Sequence, residues 1–246
     1  MSGPFGSSQW MYNSGGEFYP YQITRNVRFE DGNNSSLNRT FSAGNRRTFT
    51  YSTWVKRGNL GSIQIAGIGS GDSWLLRFAA NDKIACNFAK DTATNYFLDS
   101  TRVFRDVGAW YHLVVAVDTT QSTASNRVKF YVNGELETIT GGATTIPQNR
   151  DTDINVAANH RIGREVGNRY NFDGYLAETH FVDGQQLNAT DFGETKPGIW
   201  IPKQYTGTYG TNGFYLHFGS DLGNDQSGNA NNFTVSSMDL THDFNG

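Results

Sequence analysis

Asp221, Asp225 and Asn229 punctuate an oxygen-rich stretch over residues 221–232, DLGNDQSGNANN. Converging carboxylate, amide and carbonyl oxygens are what Ca²⁺ needs, since it takes six to eight of them. A second stretch, residues 150–155, spaces Asp151, Asp153 and Asn155 at alternate positions. Ile154 and Val156 fall between them, which predicts an edge strand with one polar face. Neither stretch has the sixth-position Gly or the closing Glu of an EF-hand. Asn and Gly also gather in loops for turn geometry alone.

Acid–base chemistry is less well provided for. Glycoside hydrolysis needs two carboxylates roughly 5–10 Å apart, one protonated and one ionised. Glu135 and Glu137 share a strand face just after Asn133-Gly134, where a pair of solvated carboxylates on an exposed hairpin arm is expected. Glu178 stands between Ala177 and Thr179 with no second acid two residues away. His112, His160, His180, His217 and His242 are scattered, and no Gly-x-Ser-x-Gly nucleophile elbow accompanies them. His112 and His217 alternate with apolar residues, as packed strand histidines do. Cys86, the sole cysteine, faces the same way as Ile84 and Phe88 and reads as a buried, inert thiol. No catalytic set emerges, so the chain reads as a non-enzyme.

Aromatic side chains offer a different chemistry. Trp10, Tyr12, Trp200, Tyr205 and Tyr209 lie outside the regularly alternating segments. Beside Asn, Asp and Arg they suit a carbohydrate platform. They equally suit a subunit interface, where Tyr and Trp are enriched. Their extended, Gly-rich setting favours docking arms that bind neighbouring subunits.

The elements that must carry these residues are strands. In residues 108–134, Tyr111, Leu113, Val115 and Val117 fall on one face and Trp110, His112, Val114 and Ala116 on the other. Val128, Phe130 and Val132 alternate again, and Asn133-Gly134 predicts a tight hairpin because both residues tolerate positive φ. Further strands are expected over 26–30, 48–57, 62–68, 73–79, 83–89, 96–98, 173–182, 213–218 and 233–235, with a short edge at 161–163. A turn is expected at 69–72. Turn signals every eight to twelve residues argue for a two-sheet antiparallel sandwich or jelly roll. Residues 188–192 predict one helical turn, and Pro197 and Pro202 keep the following segment extended. The first and last strands are expected to pair.

Composition fits an all-β chain: of 246 residues, 14% are aromatic, 28 are Gly and only 17% are charged. The formal net charge of −3 gives no drive toward nucleic acid or an anionic membrane. No apolar run reaches the roughly 18 residues of a membrane span. MSGPFGSSQW has neither a basic nor an apolar segment, so synthesis in a cytoplasm without a secretory signal is expected. Residues 1–25 read as an aromatic Gly/Ser-rich arm. Residues 26–246 read as one domain that includes an extended segment over 194–212.

FTYSTWVK at 49–56, AWYHLVVAVD at 109–118, VKFYVNG at 128–134, Ile162-Gly163 and FDGYLAETHFVD at 172–183 occur in an order that resembles the concanavalin A-like lectin/glucanase superfamily, in its laminin G-like and pentraxin-like branch. The resemblance implies a jelly-roll sandwich, a fold that hosts lectins, hydrolases and passive structural domains alike. The Glu-x-Asp-x-x-Glu strand of its glucanases has no counterpart here, which argues against hydrolysis. Many relatives bind calcium in loops at one sandwich edge, so the resemblance implies Ca²⁺ as a possible cofactor, with Asp221, Asp225 and Asn229 as its candidate ligands. Residues 1–12, 174–192, 200–218 and 225–233 also resemble virion structural proteins of tailed bacteriophages. That implies a capsid decoration or tail-fibre component in the virion, contacts with other virion proteins and with copies of itself, and binding to a host-surface glycan.

Overall fold

The computed structural model describes residues 21–61, 64, 67–70, 73–90, 95–141, 146–167 and 169–238. Two antiparallel sheets face each other. The first runs β1 (Val27–Phe29), β13 (Gly174–Asp183), β3 (Thr48–Arg57), β8 (Tyr111–Asp118), β9 (Val128–Val132) and β10 (Glu135–Leu136). β16 (Phe214–Leu216) continues the edge beside β13. The second runs β11 (Ile139–Gly141), β7 (Asn95–Val103), β6 (Lys83–Lys90), β5 (Ser73–Phe78), β4 (Ile68–Ser70), β12 (Asn159–Ile162), β2 (Ser36–Thr40) and β17 (Thr234–Ser236). A separate two-stranded ribbon joins β14 (Gly193–Lys196) to β15 (Ile199–Pro202). Among the described residues there is no α-helix. The expected helical turn is a single 3-10 turn, Ala189–Asp191, whose Asp191 carboxylate accepts from the Asn188 N–H. The all-β, two-sheet jelly-roll architecture expected from the sequence is the architecture observed.

Period-two patterning builds the core. Leu113, Val115 and Val117 of β8 pair with Thr53, Tyr51 and Phe49 of β3, and those two aromatics join them in burial against the opposite sheet. Phe78, Ile84, Cys86, Phe88 and Leu98 come from that sheet. Each fully buried side chain of this size contributes about 2 kcal/mol, and a one-residue slip would turn the whole set outward, so burial fixes the register.

Several local expectations need correcting. Residues 151–152 are irregular and 153–155 are bends, rather than an edge strand. Asn155 is buried there, donating to Asp183 and accepting from Asn212, which ties together loops distant in sequence. Residues 161–162 lie inside their sheet, between β4 and β2, rather than at an edge. Strand β4 carries the expected strand residue 68 on through 69–70, where a turn was expected, and pairs directly with β5, while residues 71–72 lie outside the described residues. The last strand pairs with β2, while β1 belongs to the other sheet. Glu137 is not a solvated carboxylate. It is buried, accepting from Arg102 and Thr101, while Glu135 stays exposed.

Candidate functional site

An antiparallel sheet normally leaves one face to water. Here His112, Val114, Ala116, Ala177 and Val182 point away from the sandwich core yet are all buried. Residues 187–209 provide the cover. Ala189, Phe192 and Tyr209 pack on Val114 and Val182 to form a second apolar cluster, flanked by Tyr131, Trp200, Tyr205 and Tyr215.

Trp200 is carried onto this face by the β14–β15 ribbon. Two glycines from different elements make room for its ring. A Cβ on Gly193 would stand 2.4 Å from Trp200 Cζ2, and one on Gly134 would stand 2.4 Å from Cε3 and Cζ3. Gly134 closes the predicted hairpin turn, with φ of 50° at Asn133 and 85° at Gly134. The residue that the turn needs for its backbone therefore also leaves the indole its space. The Trp200 indole N–H donates to His112 Nδ1 at 3.0 Å. The His112 ring lies between Trp54 and Trp200, with centroids at 5.0 and 5.9 Å.

That indole contact decides the chemistry of His112. Because Nδ1 accepts, the proton sits on Nε2 and is donated to Ser52 Oγ at 2.9 Å. Burial depresses the imidazole to about 3. In a serine nucleophile the histidine must accept from the hydroxyl while a carboxylate holds its far nitrogen. Here the donor and acceptor roles are reversed and an indole stands in the carboxylate's place, so the pair is structural.

Glu178 sits at the other end of this face. The β13–β3 register shifts between Ala177 and His180, and Glu178 takes a left-handed φ of 47°. Its Oε2 accepts from Tyr21 Oη at 2.6 Å and from Tyr215 Oη at 2.7 Å. Burial raises the carboxyl above its ordinary value, and the two tyrosine bonds only partly offset this. His180 stacks on Tyr215 at 4.4 Å, and its Nδ1 lies 2.9 Å from Tyr209 Oη. Burial takes His180 to about 3. Tyr21 thereby fastens the start of the described chain to the sheet.

Two grooves open beside Trp54. One, of about 640 Å³, is lined by Trp54, Trp110, Trp200, Asn133, Glu135 and Arg102. The other, of about 410 Å³, is lined by Tyr21, Gln22, Asn26, Trp54, Trp110 and Pro202. Trp54 and Trp110 belong to both.

Of the residues singled out in the sequence, Trp200 enters the larger groove. Tyr205 and Tyr209 lie in the second cluster instead, Tyr205 stacked on Phe192. Trp10 and Tyr12 lie outside the described residues. In the sequence Trp54 and Trp110 belong to expected strands and not to a site. Their signal was parity, since both fall on the face opposite Val55 and Tyr111.

The 221–232 loop is built on its own hydrogen bonds. Asp225 Oδ1 accepts from the N–H groups of Tyr215 and Ser227, and Oδ2 from Ser227 Oγ and the Asn231 N–H. Asp221 accepts from the Gly223 N–H. Asn229 donates to the carbonyls of Gly210 and Gly213. Among the described residues, no three His, Cys, Asp or Glu side chains gather as a metal site.

Comparison with known proteins bears on the fold. A laminin G family model described as the concanavalin A-like lectin/glucanases superfamily matches residues 12–191. No curated protein matches the chain. A candidate carbohydrate-binding protein from Bacteroides ovatus is similar over 89% of this chain and 61% of its own length, at 17% identity and a TM-score of 0.55. A heptameric SAP-like pentraxin from Limulus polyphemus is similar over 68% of this chain and 80% of its own, at 12% identity and a TM-score of 0.48. Domains LG4-5 of the mouse laminin α1 chain are similar over 76% of this chain and 46% of theirs, at 11% identity and a TM-score of 0.47. With the family model spanning most of its length, the chain belongs to the concanavalin A-like lectin/glucanases superfamily.

Proposed function

We propose that this chain is a non-enzymatic glycan-binding sandwich of a bacteriophage particle, carried on a tail fibre or on the capsid surface. The observation that carries the binding reading is the larger groove, where three indoles meet an Asn amide and a Glu carboxylate. Apolar walls with a few placed polar groups are the usual make-up of a small-ligand site, and its volume falls within the common range of roughly 300–1,000 Å³. Indole faces offer flat apolar area for the C–H faces of a sugar ring, while the amide and carboxylate bond its hydroxyls.

The non-enzymatic reading rests on the reversed Ser52–His112 pair and on Glu178, whose oxygen is occupied by two tyrosines. The Bacteroides ovatus neighbour is consistent with carbohydrate binding as a use of this fold. The virion setting rests on the sequence resemblance of residues 1–12, 174–192, 200–218 and 225–233 alone. Contacts with other virion proteins and with further copies of the chain belong to the same proposal.

The test is an array of bacterial surface polysaccharides probed with the whole chain, with Trp110→Ala as the comparison. Specific binding that weakens about tenfold in the variant, a loss near 1.4 kcal/mol, supports the reading. Silence across the array, or binding unchanged by the variant, overturns it.

A further inference from the structure

We infer that the two grooves form one cleft for a neutral glycan chain, which crosses over Trp54 and Trp110. This rests on the glycan-binding reading and adds the class of ligand. The first argument is continuity. Both grooves are open to solvent, and they share the same two indoles as their common wall. Volumes of about 640 and 410 Å³ each fall in the range that holds a small ligand. A site for one terminal sugar has no use for the second groove.

The second argument is charge. Among the described lining residues of the larger groove, Arg102 is the cation, and its guanidinium is engaged by buried Glu137. The other charged side chain there is exposed Glu135, which repels a uronate or sialate carboxylate. The described lining of the smaller groove holds no charged side chain. Gln22 and Asn26 supply amide groups beside the indoles. Hydroxyl-rich uncharged sugars match that lining, and acidic ones do not.

Titration calorimetry of the full chain against neutral oligosaccharide ladders (gluco-, xylo- and manno-configured, from one unit upward), with oligouronates in parallel, tests this. Affinity is expected to climb about tenfold as the chain lengthens and then level off. The Gln22→Ala/Asn26→Ala double variant is expected to lose that climb, and a variant whose affinity climbs as the parent's does overturns the inference. Equal affinity for a monosaccharide and its oligomers, or a preference for oligouronates, overturns the inference and leaves glycan binding standing. Absence of binding to every ladder, together with a silent polysaccharide array, overturns both.

Discussion

Glu178 combines two costs at one position. A non-glycine residue in the left-handed region costs about 1–3 kcal/mol, and φ here is 47°. A buried carboxylate adds desolvation, which raises its pKa. Rules that hold for ordinary strands are broken here together, next to Tyr21 and Ala177 of the smaller groove, and such breaks gather at functional sites. The sign of the pH effect follows directly. Because the folded value lies above the unfolded one, the favourable contribution is complete below the ordinary carboxyl range and is lost as pH rises through the raised value. At neutral pH the charge therefore opposes folding. Glu178→Gln keeps an oxygen acceptor for Tyr21 and Tyr215 and removes the charge. The variant is expected to melt above the parent at about pH 7.5, with the gap closing toward about pH 4. Thermal melts of both proteins across that range decide it, and a parent that melts higher at neutral pH overturns the account. In the sequence, Glu178 shows only that it lacks a second acid nearby. The bulge is not legible there, because a register shift depends on strands β3 and β16, which lie far from Glu178 in the chain.

The β14–β15 ribbon is the element that carries Trp200 onto the outer face of the first sheet. Its role depends on Gly193 and Gly134 flanking the Trp200 ring. Gly193 does not sit in the left-handed region, so alanine suits its backbone and the clash with the indole decides the outcome. Overpacking of this kind costs about 1–3 kcal/mol unless the neighbour moves. Gly193→Ala is expected to push Trp200 off His112, shift tryptophan emission and weaken glycan binding about tenfold. Parental emission with parental affinity overturns the role given to the ribbon. Much of the supporting frame is visible in the sequence. Asn133-Gly134 announces its hairpin, and the alternation of β8 and β9 gives the core face of the first sheet. Even the cover leaves a trace, since His112, Val114 and Ala116 make the second face of β8 apolar too. What covers that face is not legible, because residues 187–209 carry prolines and aromatics without a period. The same holds for residues 151–155. Their alternation mimics a strand, but Asn155 is drawn inward by Asp183 and Asn212, partners that only the folded chain brings near.

At the scale of the whole molecule, the covered outer face and the core between the sheets together bury three imidazoles as neutral rings. His112 and His180 lie under the cover, and His160 is stacked on Phe41 between the sheets. Nε2 of His160 accepts from the Asn155 N–H, so its proton is on Nδ1, directed at the Ala158 carbonyl. Burial lowers all three, to about 3 for His112 and His180 and about 4 for His160. Each folded value lies below the ordinary 6.5, so the unfolded chain takes up protons first. Their stabilising contribution is complete above that ordinary value and is lost as pH falls toward the folded values. One such group changes stability by about 1.4 kcal/mol per pH unit, so three acting together change it by about 4 kcal/mol per unit within the window. Glu178 works in the opposite direction with one proton, which leaves the histidines dominant. Asp82 adds to the loss at lower pH. Burial pushes its carboxyl upward, but the Gly61 N–H, Arg105 and Arg57 together hold it below its ordinary value. The protein is therefore expected to be acid-labile well before its carboxylates titrate. Urea unfolding at about pH 7.5, 6 and 5 should show the midpoint falling steeply across the series while the denaturant slope stays constant. A midpoint that holds steady down to about pH 5 would mean that these rings are charged or solvated in the folded chain. It would remove the buried outer face on which the Trp200 site is built.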